Sequence, residues 1–448
     1  MSDSVTIEQI AGYAEREVTI RGWLYARNGK SKLQILQVRD GTGVLPCVLM
    51  RKEVPPEVFD AAQDLGQESS LIVTGTIRTD DRAGGIPGGY EMEVRDLEVI
   101  QAVKGMYPLS LQDRGPEFLA QNRHLWVRSA RQWATLRIRG TIIQAIRGWL
   151  DGHGFLPVDA PVPEPAGLEE PQGLLENGGF RAPDSADYPA RLYGEANIMA
   201  FGRVYSFGPT FRTGRGGSRR HLQEMWGMEA QAAFVDLAES MAIQEQLVTS
   251  AVQEVLATRS SELELLGRSL APLEAVVPPF SRMSYDDAVA LINRAASEEV
   301  ATPSEDTPLL PVSWGAELSV GQSAYLVAQL GRPVFVHHPP SSLCPFYVAQ
   351  EPNRPETCRS SALLVAEGYG EVVRGSEPST DLAFLEAEID RHGLPREAYE
   401  WYLDLRRFGS VPHSGFGLEL EQVVAWICGL GSTQEAIPYP RQQGRIYP

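Results

Sequence analysis

At 448 residues, with 43% hydrophobic and 22% charged residues, the chain has the composition of a folded protein of two or three domains, not of a disordered one. No apolar run reaches the ~20 residues that span a bilayer, and the start Met1-Ser-Asp-Ser-Val-Thr-Ile-Glu8 lacks a basic-then-apolar leader, so a cytoplasmic protein away from membranes is expected. A net charge of −18 argues against nucleic-acid binding over the whole surface, while leaving room for a local basic groove.

Cys47, Cys344, Cys358 and Cys428 are scattered and form no CxxC pair, which suggests neither a disulfide framework nor a zinc site. Residues 18–100 carry five extended runs: Val18–Tyr25, Lys32–Asp40, Val44–Met50, Ser70–Ile77 and Tyr90–Ile100. Turn signals such as Asp40-Gly-Thr-Gly43 part them, and five short strands in about 80 residues suit a small closed barrel of the OB type. The expected organisation is a barrel over 1–103, a connector over 104–124 and a second domain over 125–448.

In that second domain Trp133, Leu136, Ile142, Ile143, Ile146, Trp149 and Leu150 recur at helical spacing, and Gly152 and Gly154 end the pattern. Residues 163–190, dense in Pro, Gly and Glu, read as a long functional loop or lid. Next comes a hairpin: Val204-Tyr-Ser-Phe-Gly-Pro-Thr-Phe-Arg212, a glycine-rich link, then Arg219 to Phe234. Arg212, Arg220 and His221 gather at its tip, where planar guanidiniums suit a phosphate or carboxylate; solvated surface arginines are the plainer reading. Asp236-Leu-Ala-Glu239 is a capping box opening a helix with Met241, Leu247, Ala251 and Val255 on its apolar face. Residues 296–312 read as a surface loop, and Leu420–Leu430 as a closing helix.

The stretch Phe207-Gly-Pro-Thr-Phe-Arg212 followed by Arg220-His-Leu-Gln-Glu224 resembles motif 2 of class II aminoacyl-tRNA synthetases, in the asparaginyl and aspartyl branch. Gly154-Phe-Leu-Pro-Val-Asp-Ala-Pro161 resembles motif 1, the run from Tyr402 to Leu418 the approach to motif 3, and Gly415-Phe-Gly-Leu-Glu-Leu-Glu-Gln422 motif 3 itself, with Pro438-Tyr-Pro-Arg441 as its exit. The resemblance covers nearly the whole chain. It implies an α+β fold: a five-stranded OB-type barrel, then a class II antiparallel sheet flanked by helices. It further implies a homodimer formed through residues 130–161, and a reaction in which ATP and magnesium convert an amino acid to an adenylate that passes to tRNA.

Several positions depart from that pattern. Arg212 matches the arginine that holds the α-phosphate, but Gly214 and Met225 stand where the family has a glutamate and a phenylalanine around the adenine. The motif 3 arginine is Gln422, and Glu419 replaces a glycine, which exchanges a cation for an amide and adds an anion near the triphosphate. Glu371 matches one magnesium-binding carboxylate and is the residual metal candidate; Ala362 stands where the other is expected. Pro378 replaces an arginine that grips the amino-acid side chain, and Ile35 and Pro46 replace the anticodon-reading phenylalanine and glutamine of the barrel.

These changes argue against the use of ATP and magnesium and against tRNA as a partner. The expectation is a synthetase relative turned to a tRNA-independent reaction on a small amino-acid-like or carboxylate substrate. Arg212, His413 and Glu371 are the candidate catalytic residues, with Glu195, Glu224, Arg220, His221, Arg374 and Gln422 around the substrate. The glycines of Ser414-Gly-Phe-Gly417 would let a ligand approach the backbone. A structural role for His413, and a mere surface pairing of Arg374 with Glu377, are the plainer readings. The alternatives are a non-catalytic binding or regulatory module and a divergent asparaginyl-tRNA ligase that uses ATP.

Overall fold

The computed structural model describes residues 3–109, 115–160, 189–211, 222–302, 309–442 and 447. The chain divides into two compact units, Met1–Trp126 and Val127–Pro448. In the first, apolar and polar residues alternate with the period of a strand, so Val18, Ile20 and Leu24 point inward from one strand and Leu36 and Val38 from the next. The elements are β1 (Asp3–Ser4), β2 (Glu17–Lys30), β3 (Leu33–Arg39), β4 (Val44–Met50), α1 (Pro56–Asp64), β5 (Ser70–Thr79) and β6 (Tyr90–Gln101), then the short helices α2 (Pro116–Gln121) and α3 (Arg123–Trp126).

The sheet runs β1-β2-β3-β4-β6-β5 and closes through a further β2–β5 pairing, so five long strands form the barrel the sequence predicts. Two plugs were not legible beforehand. A 3-10 helix, Ile7–Tyr13, seats Ile7 and Ile10 in the barrel core, and α1 adds Val58, Phe59 and Ala62.

The second unit contains α4 (Ala130–Gly152), β7 (Leu156–Pro157), α5 (Pro189–Phe201), β8 (Arg203–Phe211), β9 (Glu224–Ala233), α6 (Leu237–Thr258), α7 (Ser260–Leu265) and α8 (Ala271–Glu274). It continues with β10 (Ser281–Ser284), α9 (Tyr285–Ser297), α10 (Val320–Leu330), β11 (Val334–His337), β12 (Gln350–Glu351), β13 (Arg354–Cys358), β14 (Ser360–Val365) and β15 (Gly370–Ser376). Then follow α11 (Leu382–Arg391), α12 (Arg396–Arg407), β16 (His413–Glu419) and α13 (Leu420–Cys428).

An eight-stranded sheet of order β10-β11-β14-β15-β16-β9-β8-β7 is the frame. Its middle is antiparallel, as expected, while the outermost pairs β10–β11 and β7–β8 run parallel. Helices α4, α6 and α13 bury its main core: Ile138, Ile142, Ile146 and Leu150 of α4 face Leu247, Ala251 and Val255 of α6. The buried line of α4 therefore steps by four residues and leaves Trp133 half-exposed, slightly rotated from the expected stripe. Asp236 and Glu239 form the reciprocal capping box at the start of α6.

Two expectations need correction. Residues 296–312 are not simply a surface loop: Thr302, Leu309 and Val312 are buried, and Asn293 exchanges two hydrogen bonds with the Val312 backbone at 2.7 and 2.9 Å. Cys344 and Cys358 are bonded as a disulfide with Cα atoms 6.7 Å apart, contrary to the all-thiol reading. Their spacing of 14 residues carries no recognisable motif; the bridge between Pro340 and Thr357, with the Cys358 amide donating to the Pro339 carbonyl at 2.9 Å, lays the end of β13 beside the turn that carries Cys344.

Candidate functional site

Strands β14, β15 and β16 carry a pocket of about 550 Å3, walled by α10, the start of α13 and the loop at 339–347. Ala362, Glu371, Arg374, Gly417, Glu419 and Gln422 all line it. A regular strand points residues an odd number apart to opposite faces, so Glu371 and Arg374 should diverge. They do not, because the pairing of β14 with β15 slips: Leu363 faces Val373, Leu364 faces Glu371, and Val372 has no partner in register. This bulge turns Glu371 and Arg374 onto the pocket side and both Val372 and Val373 into the core.

The two side chains meet as a fork, Arg374 Nε and Nη2 each donating to a Glu371 oxygen at 2.7 Å. Glu371 holds the Arg374 guanidinium above its ordinary range, outweighing the opposing effect of burial. Ser361 and Ser376, also in the wall, have buried hydroxyls that make no hydrogen bond among the described residues. On α13, Gln422 donates from Nε2 to the Tyr369 carbonyl, which fixes its amide at the pocket edge.

One wall of this pocket, at Arg191 and Tyr347, opens onto a different kind of cluster. Arg191 of α5 makes a buried pair with Glu229 of β9, with donor–acceptor distances of 3.0–3.3 Å. Burial works against the Arg191 charge, but Glu229 and Tyr347 overcome it and raise the group above the ordinary range. One turn on, Glu195 is wholly enclosed. It faces Arg406 Nη2 at 2.6 Å, accepts from the Tyr402 hydroxyl at 2.8 Å, and stands 3.0 Å from His413 Nε2, a charge contact out of line for a hydrogen bond. Burial alone would raise the Glu195 carboxyl; Arg406 and then His413 outweigh it and hold it below the usual carboxylate range.

Glu371, Arg374 and Gln422 thus share one pocket. His413 does not line it: the ring is fully buried and Nδ1 donates to the Val411 carbonyl at 2.8 Å, so the geometry gives it a structural partner instead of access to a substrate. Glu195 likewise sits outside the pocket wall, and Glu224 lies at the start of β9 opposite Phe211. Arg212, Arg220 and His221, with Gly214 and residues 163–188 of the lid expected over 163–190, lie outside the described residues; Pro189 and Ala190 begin α5.

Arg374 and Glu377 do not pair with each other: Glu377 is held by Arg359 and accepts from the Leu237 amide at 3.1 Å. Nor do the motif 3 glycines leave space for a ligand. A Cβ on Gly417 would stand 2.0 Å from Glu229 Oε1, and one on Gly415 2.8 Å from Gln231, so these glycines make room for β9 side chains. Arg191, Glu229, Tyr402 and Arg406 escaped sequence reasoning. The i,i+4 placing of Arg191 and Glu195 on one helix was the available signal.

The magnesium that the resemblance implies finds a poor donor set. Magnesium takes near-octahedral oxygen ligands. Ala362, in register with Arg374, offers no oxygen from its side chain, and both Glu371 oxygens are already engaged by Arg374. Among the described residues no group of three or more His, Cys, Asp or Glu is placed to hold a metal ion. The residues present do not fit a carboxylate-bridged ion.

Residues 115–443 match the family of class II tRNA synthetases for Asp, Lys and Asn, and residues 18–100 match the OB-fold nucleic acid binding domain. The chain is 45% identical over 446 residues to an asparagine–tRNA ligase of Thermus thermophilus, covering 99% of this chain and 100% of that one. It is 44% identical to the corresponding ligase of Roseiflexus castenholzii, covering 99% of each. Among solved structures it is similar to asparaginyl-tRNA synthetase from Pyrococcus horikoshii complexed with asparaginyl-adenylate, with a TM-score of 0.88, 35% identity and full coverage of both chains. No helix among the described residues is long and apolar enough to cross a membrane. With its OB-type barrel and its eight-stranded sheet in place, the chain belongs to the class II aminoacyl-tRNA synthetases, as a homologue of the asparaginyl enzymes.

Proposed function

We propose that this chain is a divergent asparaginyl-tRNA ligase: it joins the carboxylate of a small amino acid to the α-phosphorus of ATP, releasing pyrophosphate, and passes the acyl group to a tRNA hydroxyl with loss of AMP. The observation that carries this reading is the identity of 45% over essentially the full length of both chains, barrel included. That extent supports the tRNA ligase over the tRNA-independent enzyme to which the local substitutions point. In this reading Arg212 holds the α-phosphate, the Glu371–Arg374 fork faces the bound nucleotide, and Gln422 lends an amide where the family has a cation. The chain works as a homodimer through residues 130–161 in the cytoplasm.

A second reading keeps carboxylate activation but dispenses with tRNA. It is favoured by the pocket itself, where Ala362, Arg374 and Gln422 stand at positions that the family uses for metal, close backbone approach and phosphate. The test is a pair of assays on the full chain: exchange of labelled pyrophosphate into ATP with asparagine, and charging of asparagine tRNA. Both activities support the first reading. Exchange without charging supports the second, and neither supports a binding module without catalysis. Light scattering on the purified protein tests the dimer, a monomer overturning it.

A further inference from the structure

We propose that Arg374, aimed by Glu371, is the cationic contact for the nucleotide phosphate in this pocket, so that phosphate binding does not depend on a divalent ion held by Glu371. The inference rests on the ligase reading of the site and concerns how that site meets its anionic ligand.

Four observations carry it. The β15 bulge delivers both side chains to the pocket side of the sheet. The neighbours of Arg374 in register are Ala362 on one side and Gly417 on the other; the small Ala362 leaves the arginine room over the sheet, while the space over Gly417 holds the Glu229 carboxylate. The fork to Glu371 uses Nε and Nη2 and leaves Nη1 without a hydrogen bond among the described residues. A guanidinium held on one edge presents its other N–H groups in a fixed direction, which suits planar or tetrahedral oxyanions. Finally, the Ser376 hydroxyl, on the same face of β15 as Arg374, is buried in this wall with no partner among the described residues and can donate to a phosphate oxygen.

The charge arithmetic agrees. Two carboxylates with one divalent ion sum to zero, and so do Glu371 and Arg374 with no ion added, the other charged residues of the lining being Arg191, Glu317 and Glu419. An ion bridged by Glu371 would have to displace Arg374 and leave two positive centres side by side.

The test is equilibrium dialysis of labelled ATP against the full chain, once in excess EDTA and once in excess magnesium. The expected result is an affinity that changes by less than about threefold between the two, and that falls by at least about tenfold in EDTA for Arg374→Gly and Arg374→Gln. The double variant Ala362→Asp, Arg374→Gly rebuilds a carboxylate pair and is expected to bind at least about tenfold more tightly with magnesium than with EDTA. Circular dichroism melts confirm that each variant is folded. A wild-type chain that binds ATP only with magnesium, or Arg374 variants that bind as the wild type does, overturns the inference and leaves the ligase reading standing. No ATP binding under either condition overturns both.

Discussion

Two carboxylate–guanidinium pairs, one joining α5 to α12 and the other carried on β15, differ in almost everything except composition. Glu195 with Arg406 is sealed from solvent, both side chains at 0% exposure, and shares its oxygens with Tyr402 and His413. Glu371 with Arg374 faces the pocket, the arginine half-exposed, and each oxygen has one donor. Enclosed charges lose their hydration and are stable only with every partner in place, so the first pair belongs to the scaffold. An open pair contributes little to folding, and its partners can be exchanged for a ligand at small cost. The difference separates what holds this protein together from what it can offer a substrate.

The comparison is broken most severely at the enclosed end. Glu195→Gln strands Arg406 as a buried, uncompensated charge and is expected to destabilise the fold by about 3–5 kcal/mol, read as a shift in the urea unfolding midpoint. A loss below ~1 kcal/mol would mean the cluster is not the scaffold element described.

Acid probes the same contrast without a mutation. The folded-state pKa of Glu195 is depressed, so its contribution is fully present above the unfolded value of roughly 4.3 and is lost as pH falls through the folded value. The wild type should therefore lose stability below about pH 4 more steeply than Glu195→Gln. Identical limbs for the two would contradict the assignment.

Gly417→Ala tests the seam between the two regions. The new methyl collides with the Glu229 carboxylate and must push it off Arg191, at an expected cost of about 1–3 kcal/mol in unfolding free energy. The smallest effect belongs to the open pair: Glu371→Gln is expected to leave the unfolding midpoint within about 1 kcal/mol of the wild type. A large destabilisation there would erase the distinction.

Much of the frame was legible because strand periodicity, capping chemistry and ordered motifs are local. The five barrel strands, the capping box at Asp236 and the two arms β8 and β9 follow from residues a few positions apart. What was not legible depends on register or on partners distant in sequence. The bulge beside Val372 decides that Arg374 meets Glu371 and not Glu377, and no residue type announces it. The demotion of His413 from acid–base candidate to scaffold comes from Glu195 of α5 and Tyr402 and Arg406 of α12 converging beside it. The glycines of β16 pointed correctly to close approach, but what approaches is a side chain of the next strand.

The first turn of α13 carries one more consequence. Glu421 takes the Trp226 amide at 2.9 Å and Arg139 at 2.8 Å within the core, while its neighbour Gln422 is tied to Tyr369 beside the pocket. A turn anchored in both directions cannot pivot, so this side of the cavity acts as a rigid jaw. Whatever accommodation a ligand demands must come from the opposite side, which makes shape selection there, more than induced fit at α13, the filter on what this protein accepts.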